Sequence, residues 1–100
     1  HYYFIKHHKN FVSSNHLYFL KFFSFNIKKK NKFIRYMKSK KIYLQYHYKP
    51  IYKFSVFKDK FIGKNSEKFY NNTLSLPIYF NLSKKDQLYV IKSIQKFFIK

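Results

Sequence analysis

The most regular alternation of apolar and polar positions lies at the end of the chain. Four apolar residues recur there at helical spacing: Leu88, Ile91, Ile94 and Phe98. Ser83 stands three residues before Asp86, which is typical of a capping box at a helix start. We therefore predict a helix from Ser83 to Phe98 whose four apolar residues pack into a core.

A second helical pattern lies in the first half of the chain. Phe33, Ile34 and Met37 fall at i, i+1 and i+4, and lysines lie before and after them, at Lys28, Lys29, Lys32 and Lys38. Asn26 offers a side-chain oxygen that can cap the first turn. The pattern predicts a helix from about Lys28 to Ser39 with a lysine-rich exposed face.

Two segments have the composition of β-strands. His16 to Phe25 is rich in aromatic residues, and we predict a strand there with Leu17, Phe19 and Phe22 on its buried face. A shorter strand is predicted from Ile42 to Tyr46.

The remaining segments carry weaker patterns. Residues 1–15 are aperiodic and are predicted as a loop, and the stretch from His47 to Gly63 is predicted to be irregular. Within it, Pro50 holds Lys49 in an extended conformation.

A short helix is predicted at Ser66–Asn71, capped by Asn65 or Ser66. Leu74–Phe80 contains Pro77, which lacks an N–H group, and is therefore predicted as an edge strand or extended segment. The order of elements indicates an α+β fold, a short sheet with packed helices.

The composition adds a strong positive charge. The 22 basic residues, of which only Arg35 is an arginine, face 3 acids and give a net charge of +19, and a quarter of the chain is aromatic. Such a chain could bind nucleic acid or an anionic surface. However, Lys, Asn, Ile, Phe and Tyr have codons rich in A and T, and nucleic-acid recognition favours arginine. Codon bias therefore explains the charge better, and no specific nucleic-acid partner is predicted.

Several kinds of site are excluded by what the sequence lacks. A single glycine, Gly63, cannot build a glycine-rich phosphate loop, and the absence of cysteine removes thiol chemistry and zinc ribbons. Three scattered carboxylates offer little for paired acid–base catalysis. His7 and His8 are adjacent, so their side chains diverge, and no metal site is predicted.

No membrane span or secretory signal is predicted either. The most hydrophobic window, Phe11 to Ile27, is interrupted by polar and charged residues, whereas a span needs about 20 mostly apolar ones. The chain starts at His1, and its many large aromatic residues would be hard to pack in 100 residues. We therefore expect it to be part of a longer protein.

Several motifs, in order along residues 13–98, resemble the C-terminal part of the pyridoxal-phosphate-dependent sugar-nucleotide aminotransferases of the DegT type. The segments that carry the resemblance are Ser14–Tyr18 (S-x-H-L-Y), Phe33–Ile42, Gln45–Tyr52 (Q-x-H-Y-x-P-I), Glu67–Tyr70 (E-x-F-Y), Leu74–Tyr79 (L-S-L-P-I-Y) and Leu82–Gln87 (L-S-x-x-D-Q). Within the family, the form of the Gln45–Tyr52 motif looks most like the branch that makes pseudaminic acid precursors.

The resemblance implies that residues 16–100 are the small C-terminal domain of a fold type I aminotransferase, with residues 1–15 a loop or a remnant of the region before it. It implies pyridoxal phosphate as cofactor, bound to a lysine upstream of this chain, so that no catalytic residue lies here. It also implies a nucleotide-sugar substrate, glutamate as amino donor, a cytoplasmic homodimer, and amino transfer to C4 of a 4-keto-6-deoxy sugar.

His47, Tyr48 and Lys49 are the candidate substrate-binding residues that the resemblance implies. A histidine and a tyrosine can donate to hydroxyl or phosphate oxygens, and a lysine can neutralise a diphosphate. A structural hydrogen bond is the alternative for His47, and a solvated side chain the alternative for Lys49. His16 is expected to bind backbone at the strand start, with substrate contact as the alternative.

One position departs from the family pattern. Lys41 stands where the family usually has glycine, at a helix end that favours a left-handed residue, and it can adopt that conformation at a cost of about 1 kcal/mol. Two alternatives to the aminotransferase interpretation stay open: a small basic protein that binds nucleic acid or an anionic surface, and a gene remnant with no function.

Overall fold

The computed structural model describes residues 2–6, 8–57 and 61–99. Its elements in chain order are β1 (Tyr2–Phe4), β2 (Phe19–Phe22), α1 (Ile27–Ser39), a 3-10 turn (Ile51–Lys53), α2 (Lys64–Asn72), β3 (Thr73–Ser75) and α3 (Lys84–Phe98). This confirms the predicted α+β class. His7, part of the adjacent histidine pair for which no metal site is predicted, lies outside the described residues.

The three strands form one antiparallel sheet in the order β1-β2-β3. Tyr2 pairs with Phe22, and Leu20 pairs with Leu74 across β2 and β3. The prediction that residues 1–15 form only a loop was therefore wrong. β1 is held by more than its backbone pairing, because the Tyr2 ring lies 5.0 Å from the ring of Phe98 on α3.

The buried face of β2 differs from the predicted one. Leu20 and Phe22 are buried, whereas Leu17 and Phe19 are only half-buried. Successive side chains in a strand point to opposite faces, and Phe19 packs on the other face, with its ring 5.5 Å from Phe69 of α2. Because apolar residues lie on both faces of this strand, the sequence did not show which face is buried.

Helix α1 begins and faces the core as its sequence predicts. The Asn26 side-chain oxygen accepts a 2.8 Å hydrogen bond from the Lys29 backbone N–H. Phe33 and Met37, one turn apart, are fully buried. Lys30, one turn before Phe33 on the same face, is buried as well.

The end of α1 confirms the left-handed conformation expected at Lys41, whose φ is 59°. The Ile42 N–H donates to the Met37 carbonyl at 3.0 Å, and the Lys41 N–H donates to the Lys38 carbonyl at 2.9 Å. This is the Schellman arrangement that usually employs glycine. It turns the chain so that Ile42 enters the core beside Met37.

Helix α2 is longer than predicted and starts differently. It covers Lys64–Asn72, and neither Asn65 nor Ser66 caps it, because the N-cap is Gly63 without a side-chain hydrogen bond. Its last residue is followed directly by β3. The Asn72 side chain accepts a 3.1 Å hydrogen bond from the Phe25 N–H, which fixes the end of α2 beside the segment that follows β2.

Helix α3 starts as predicted but presents a different face to the core. The Ser83 hydroxyl accepts a 3.0 Å hydrogen bond from the Asp86 N–H. Val90 and Ile94 are buried, whereas Leu88 and Ile91, both predicted to be core residues, are 46% and 43% exposed. The apolar face of α3 is wider than the surface that the described residues offer to it. No helix within the described ranges is both long and apolar enough to cross a membrane.

The strand predicted at Ile42–Tyr46 does not form. Only Gln45 pairs with a strand, through two backbone hydrogen bonds with Ser75. β3 ends at Ser75 and Pro77 follows closely, so its outer edge offers room for little pairing. The prediction of an edge strand in Leu74–Phe80 is correct in placing β3 at the sheet edge, although the strand stops well before Phe80.

Candidate functional site

The candidate site lies directly after Gln45, whose backbone forms an isolated bridge with Ser75 of β3. The Gln45–Ser75 pair brings the next residue but one, His47, over the end of the strand. His47 Nδ1 lies 2.7 Å from Ser75 Oγ, in hydrogen-bond contact, and Ser75 is buried. Backbone pairing and a side-chain hydrogen bond therefore both fix the histidine.

His47 Nδ1 is engaged by Ser75, so Nε2 is the ring nitrogen that is free to contact a ligand. Within the described parts of the chain, the ring has no other hydrogen-bond partner. A neutral imidazole can donate from one nitrogen and accept on the other. Ser75 therefore orients the ring and decides which nitrogen a ligand meets.

Tyr48 and Lys49 lie in more exposed positions than His47. The Tyr48 side chain is 69% exposed, and its ring stands perpendicular to that of His47 at a centroid distance of 4.9 Å. The Lys49 ammonium lies 4.8 Å from the centre of the Phe54 ring. Pro50 is buried and begins the 3-10 turn, which ends the exposed segment.

His47 opens into a cleft of about 310 Å³. The cleft is lined by His16, Leu17, Tyr43, Gln45, His47, Ser75, Leu76, Pro77, Ile78 and Tyr79. It brings together two histidines that are 31 positions apart in the sequence. His16 is exposed and, among the described residues, its side chain makes no hydrogen bond, so the expectation that it binds backbone was wrong.

Tyr48 and Lys49 line a different groove, of about 470 Å³, together with Pro50, Asn65, Ser66 and Phe69. The three predicted site residues thus form one continuous turn but face two neighbouring depressions. A ligand that touched all three would lie across the turn. The imidazole would contact one end of such a ligand, and the phenol and ammonium would contact the other.

A charged pair pins the segment after the site to α2. The Tyr52 hydroxyl donates to Glu67 Oε2 at 2.7 Å, and Lys53 Nζ lies 2.7 Å from Glu67 Oε1. The Lys53 ammonium, followed by the Tyr52 hydroxyl, lowers the pKa of Glu67. Burial, followed by the Glu67 carboxylate, raises the pKa of Tyr52 to about 12. Both shifts favour the form that keeps this contact closed around neutral pH.

The sequence motif identified the turn at residues 47–49 but not the residues that hold it in place. Ser75 is 28 positions from His47, and nothing in either local pattern indicates that the two side chains meet. Gln45 was noted only as a motif residue. The one sequence signal was that the motifs containing Gln45 and Ser75 both resemble the same family. A shared resemblance does not indicate that two residues are in contact.

Comparison with a family model points to the same family as the sequence motifs. The model of the DegT/DnrJ/EryC1/StrS aminotransferase family matches residues 2–95. No curated protein sequence matches the chain.

Solved structures are similar to it as well. PseC of Helicobacter pylori, an aminotransferase involved in the biosynthesis of pseudoaminic acid, superposes with a TM-score of 0.73 and 32% identity over 86% of this chain and 24% of its own. Spr1654 of Streptococcus pneumoniae, assigned as a sugar aminotransferase, has a TM-score of 0.84 and 25% identity over 96% of this chain and 25% of its own, and is known in PMP and PLP forms. The chain thus spans about a quarter of the length of these proteins.

Proposed function

The chain belongs to the DegT/DnrJ/EryC1/StrS aminotransferase family, and we propose that it forms the small C-terminal domain of a pyridoxal-phosphate-dependent sugar-nucleotide aminotransferase. In this proposal residues 16–100 carry the domain, and β1 adds an edge strand from the preceding segment. The longer protein works as a cytoplasmic homodimer, as the family resemblance implies.

The proposed reaction moves an amino group from glutamate to C4 of a nucleotide-linked 4-keto-6-deoxy sugar. It is supported by the 32% identity to the Helicobacter pylori enzyme, whose name refers to pseudoaminic acid biosynthesis. The Gln45–Tyr52 motif resembles the same branch of the family.

The part proposed for this chain is to bind the nucleotide sugar. The observation that carries the proposal is the contact between His47 and Ser75 at the wall of the 310 Å³ cleft, because a fixed imidazole can recognise a hydroxyl or phosphate oxygen. Tyr48 and Lys49, on the other side of the same turn, suit the diphosphate. Their exposure in this chain leaves them accessible to such a ligand.

The described residues do not fit a pyridoxal phosphate site. A lysine that forms a Schiff base must present a free amine in an enclosed cavity. Lys30 is enclosed, but its ammonium donates to the Tyr70 carbonyl. Lys49 is accessible but lies over Phe54 on an exposed surface. We therefore place the cofactor on residues of the longer protein outside this chain and derive no step through it here.

A chimaera tests the proposal. The segment of the Helicobacter pylori enzyme on which this chain superposes is replaced by the chain, and amino transfer to that enzyme's own sugar substrate is measured. We expect turnover in the chimaera and none in the enzyme from which the segment is deleted. The purified 100-residue chain should show neither a cofactor absorbance band nor turnover.

Variants of the chimaera test the site. His47→Ala removes a hydrogen bond to a charged or strongly polar group and should lower kcat/KM by about tenfold or more. His8→Ala, which removes an exposed histidine outside both depressions, is the matched control and should leave kcat/KM unchanged. Equal activity of the His47→Ala and control chimaeras would remove His47 from the site. Turnover by the isolated chain would contradict the domain proposal itself.

A further inference from the structure

One positive charge lies inside the described structure. The Lys30 side chain is 2% exposed, although the chain is otherwise rich in solvated lysines. Burying an ammonium is unfavourable unless it is paired and hydrogen-bonded. Within residues 2–6, 8–57 and 61–99 the single ion pair joins Lys53 to Glu67, so Lys30 has no carboxylate partner there.

The Lys30 ammonium is held instead by one carbonyl and two aromatic rings. Its Nζ donates to the Tyr70 backbone carbonyl. It also lies 4.4 Å from the ring centre of Tyr46 and 5.1 Å from that of Tyr70. The two rings are themselves neighbours, with centroids 4.8 Å apart. A desolvated cation near two ring faces is strongly attracted to both.

These two tyrosines belong to the two segments that form the candidate site. Tyr46 directly precedes His47, and Tyr70 lies near the end of α2, which continues into β3 with Ser75. The ammonium on α1 therefore contacts both segments just before they meet in the His47–Ser75 hydrogen bond. A small cavity of about 10 Å³ between Tyr46, Tyr70 and the site residues shows how closely these side chains pack.

We propose that Lys30 is a positioning residue that sets the separation of Tyr46 and Tyr70 and thereby holds His47 against Ser75 in the substrate-binding turn. The proposal rests on the proposed function in taking that turn to be the binding site. Lys30 touches neither depression and has no contact with a ligand in this scheme. It acts through the two rings.

If Lys30 only stabilised the fold, its replacement would change the free energy of unfolding without displacing His47. An apolar side chain of similar length removes the cost of burying an ammonium, which offsets the loss of its hydrogen bond and ring contacts. A methionine at position 30 would thus keep the core filled. If the ammonium matters mainly for position, the fold survives the substitution and the site geometry does not.

The test is nuclear magnetic resonance of the 100-residue chain without substrate. The side-chain nitrogen signals of His47 are compared in the wild type, in Lys30→Met and in Lys32→Met, which removes an exposed lysine from the same helix. We expect Lys30→Met to lose the hydrogen-bonded signature of His47 Nδ1 while keeping a cooperative unfolding transition. Lys32→Met should retain the wild-type His47 signals.

Lys30→Gln keeps the test decisive if Lys30→Met fails to fold. The amide can still donate to the Tyr70 carbonyl, but it carries no charge towards the rings. Displaced His47 signals in this variant support the proposal. His47 signals that match the wild type in either folded variant overturn it. Because no nucleotide sugar is present, this result is independent of whether the chimaera shows turnover.

Discussion

Aromatic residues of the same kinds play opposite roles in two regions of this molecule. In the region between the sheet and the helices, five phenylalanines form what we term the aromatic cluster: Phe22, Phe25, Phe33, Phe97 and Phe98. In what we term the site-side region, residues 43–57, 61–62 and 78–80, comparable side chains are exposed. They include Tyr43, Tyr48, Phe54, Phe57, Phe61, Tyr79 and Phe80.

The difference follows from regular structure. Phe22 and Phe33 lie on β2 and α1, whose periodicity directs them to one side, and their rings meet edge-on at 5.5 Å. Among its described residues, the site-side region has only the 3-10 turn and a single bridge at Gln45. Its side chains therefore have no common face to share. Aromatic content alone does not make a core, and we expect the site-side region to meet the rest of the longer protein.

Removing one ring from each region should show the contrast most strongly. Phe33 is completely buried and contacts four other rings of the cluster, so Phe33→Ala should lower the free energy of unfolding by about 3–5 kcal/mol. Phe80 is fully exposed, and Phe80→Ala should change it by less than about 0.5 kcal/mol. Urea unfolding followed by circular dichroism measures both. Similar losses in the two variants would mean that the site-side region has a core of its own.

A smaller effect tests the boundary between the two regions, where Lys30 lies. Burial lowers the pKa of Lys30 to about 8, whereas in the unfolded chain it titrates near 10.5. Between these values the unfolded chain binds more protons, so Lys30 makes stability rise with pH. We expect a gain of about 2 kcal/mol from pH 7 to pH 9.5 that is absent in Lys30→Met.

The difference between wild type and Lys30→Met at each pH isolates this contribution, because all other groups titrate in both proteins. Above pH 10 the stability of both proteins should instead fall with rising pH, since the raised pKa values of Tyr46 and Tyr52 keep protons on the folded chain that the unfolded chain loses. A parallel pH dependence of the two proteins from pH 7 to pH 9.5 would mean that Lys30 is solvated.

Local signals predicted the elements of the aromatic-cluster region better than their faces. Asn26 and Ser83 marked two helix starts because a capping hydrogen bond spans only three residues. The buried face of α3 was mispredicted, since Leu88 and Ile91 satisfy helical spacing as well as Val90 and Ile94 do. Which set is covered depends on elements far away in sequence.

Local sequence patterns predicted even less of the candidate site. The His47–Tyr48 turn was found from its motif, but Ser75 and Lys30 were not, although they lie 28 and 17 positions away and hold the turn in place. A buried lysine cannot be told from the other lysines of the chain by its identity. Its burial follows from the position that α1 gives it on the same face as Phe33 and Met37.

Lys41, at the junction between the two regions, has an unfavourable backbone conformation that a substitution can relieve. Lys41 adopts φ 59° at the end of α1, a conformation that costs a residue with a Cβ atom about 1 kcal/mol or more. Lys41→Gly should raise the free energy of unfolding by about 0.5–1 kcal/mol, because it relieves this strain, and the greater entropy of glycine in the unfolded chain offsets only part of the gain. Lys40→Gly, at φ −91°, is the control and should give no gain. A loss in Lys41→Gly would mean that the lysine side chain contributes a contact larger than the strain.

The smallest effect is expected where the site-side region is tied to α2. The pKa of Glu67 is lowered by Lys53 and then by Tyr52, so its carboxylate stabilises the fold above its unfolded pKa of 4.5, and this contribution is lost as the pH falls through the folded pKa. Glu67→Gln should therefore lower the urea midpoint slightly at pH 6, because a half-exposed ion pair is weak. The two proteins should converge as the pH falls through the folded pKa of Glu67, where the wild-type carboxylate takes up a proton. A difference that persists unchanged at the acid end of this titration would mean that the contact depends on shape rather than on charge, and that the site-side region is held by packing as the aromatic cluster is.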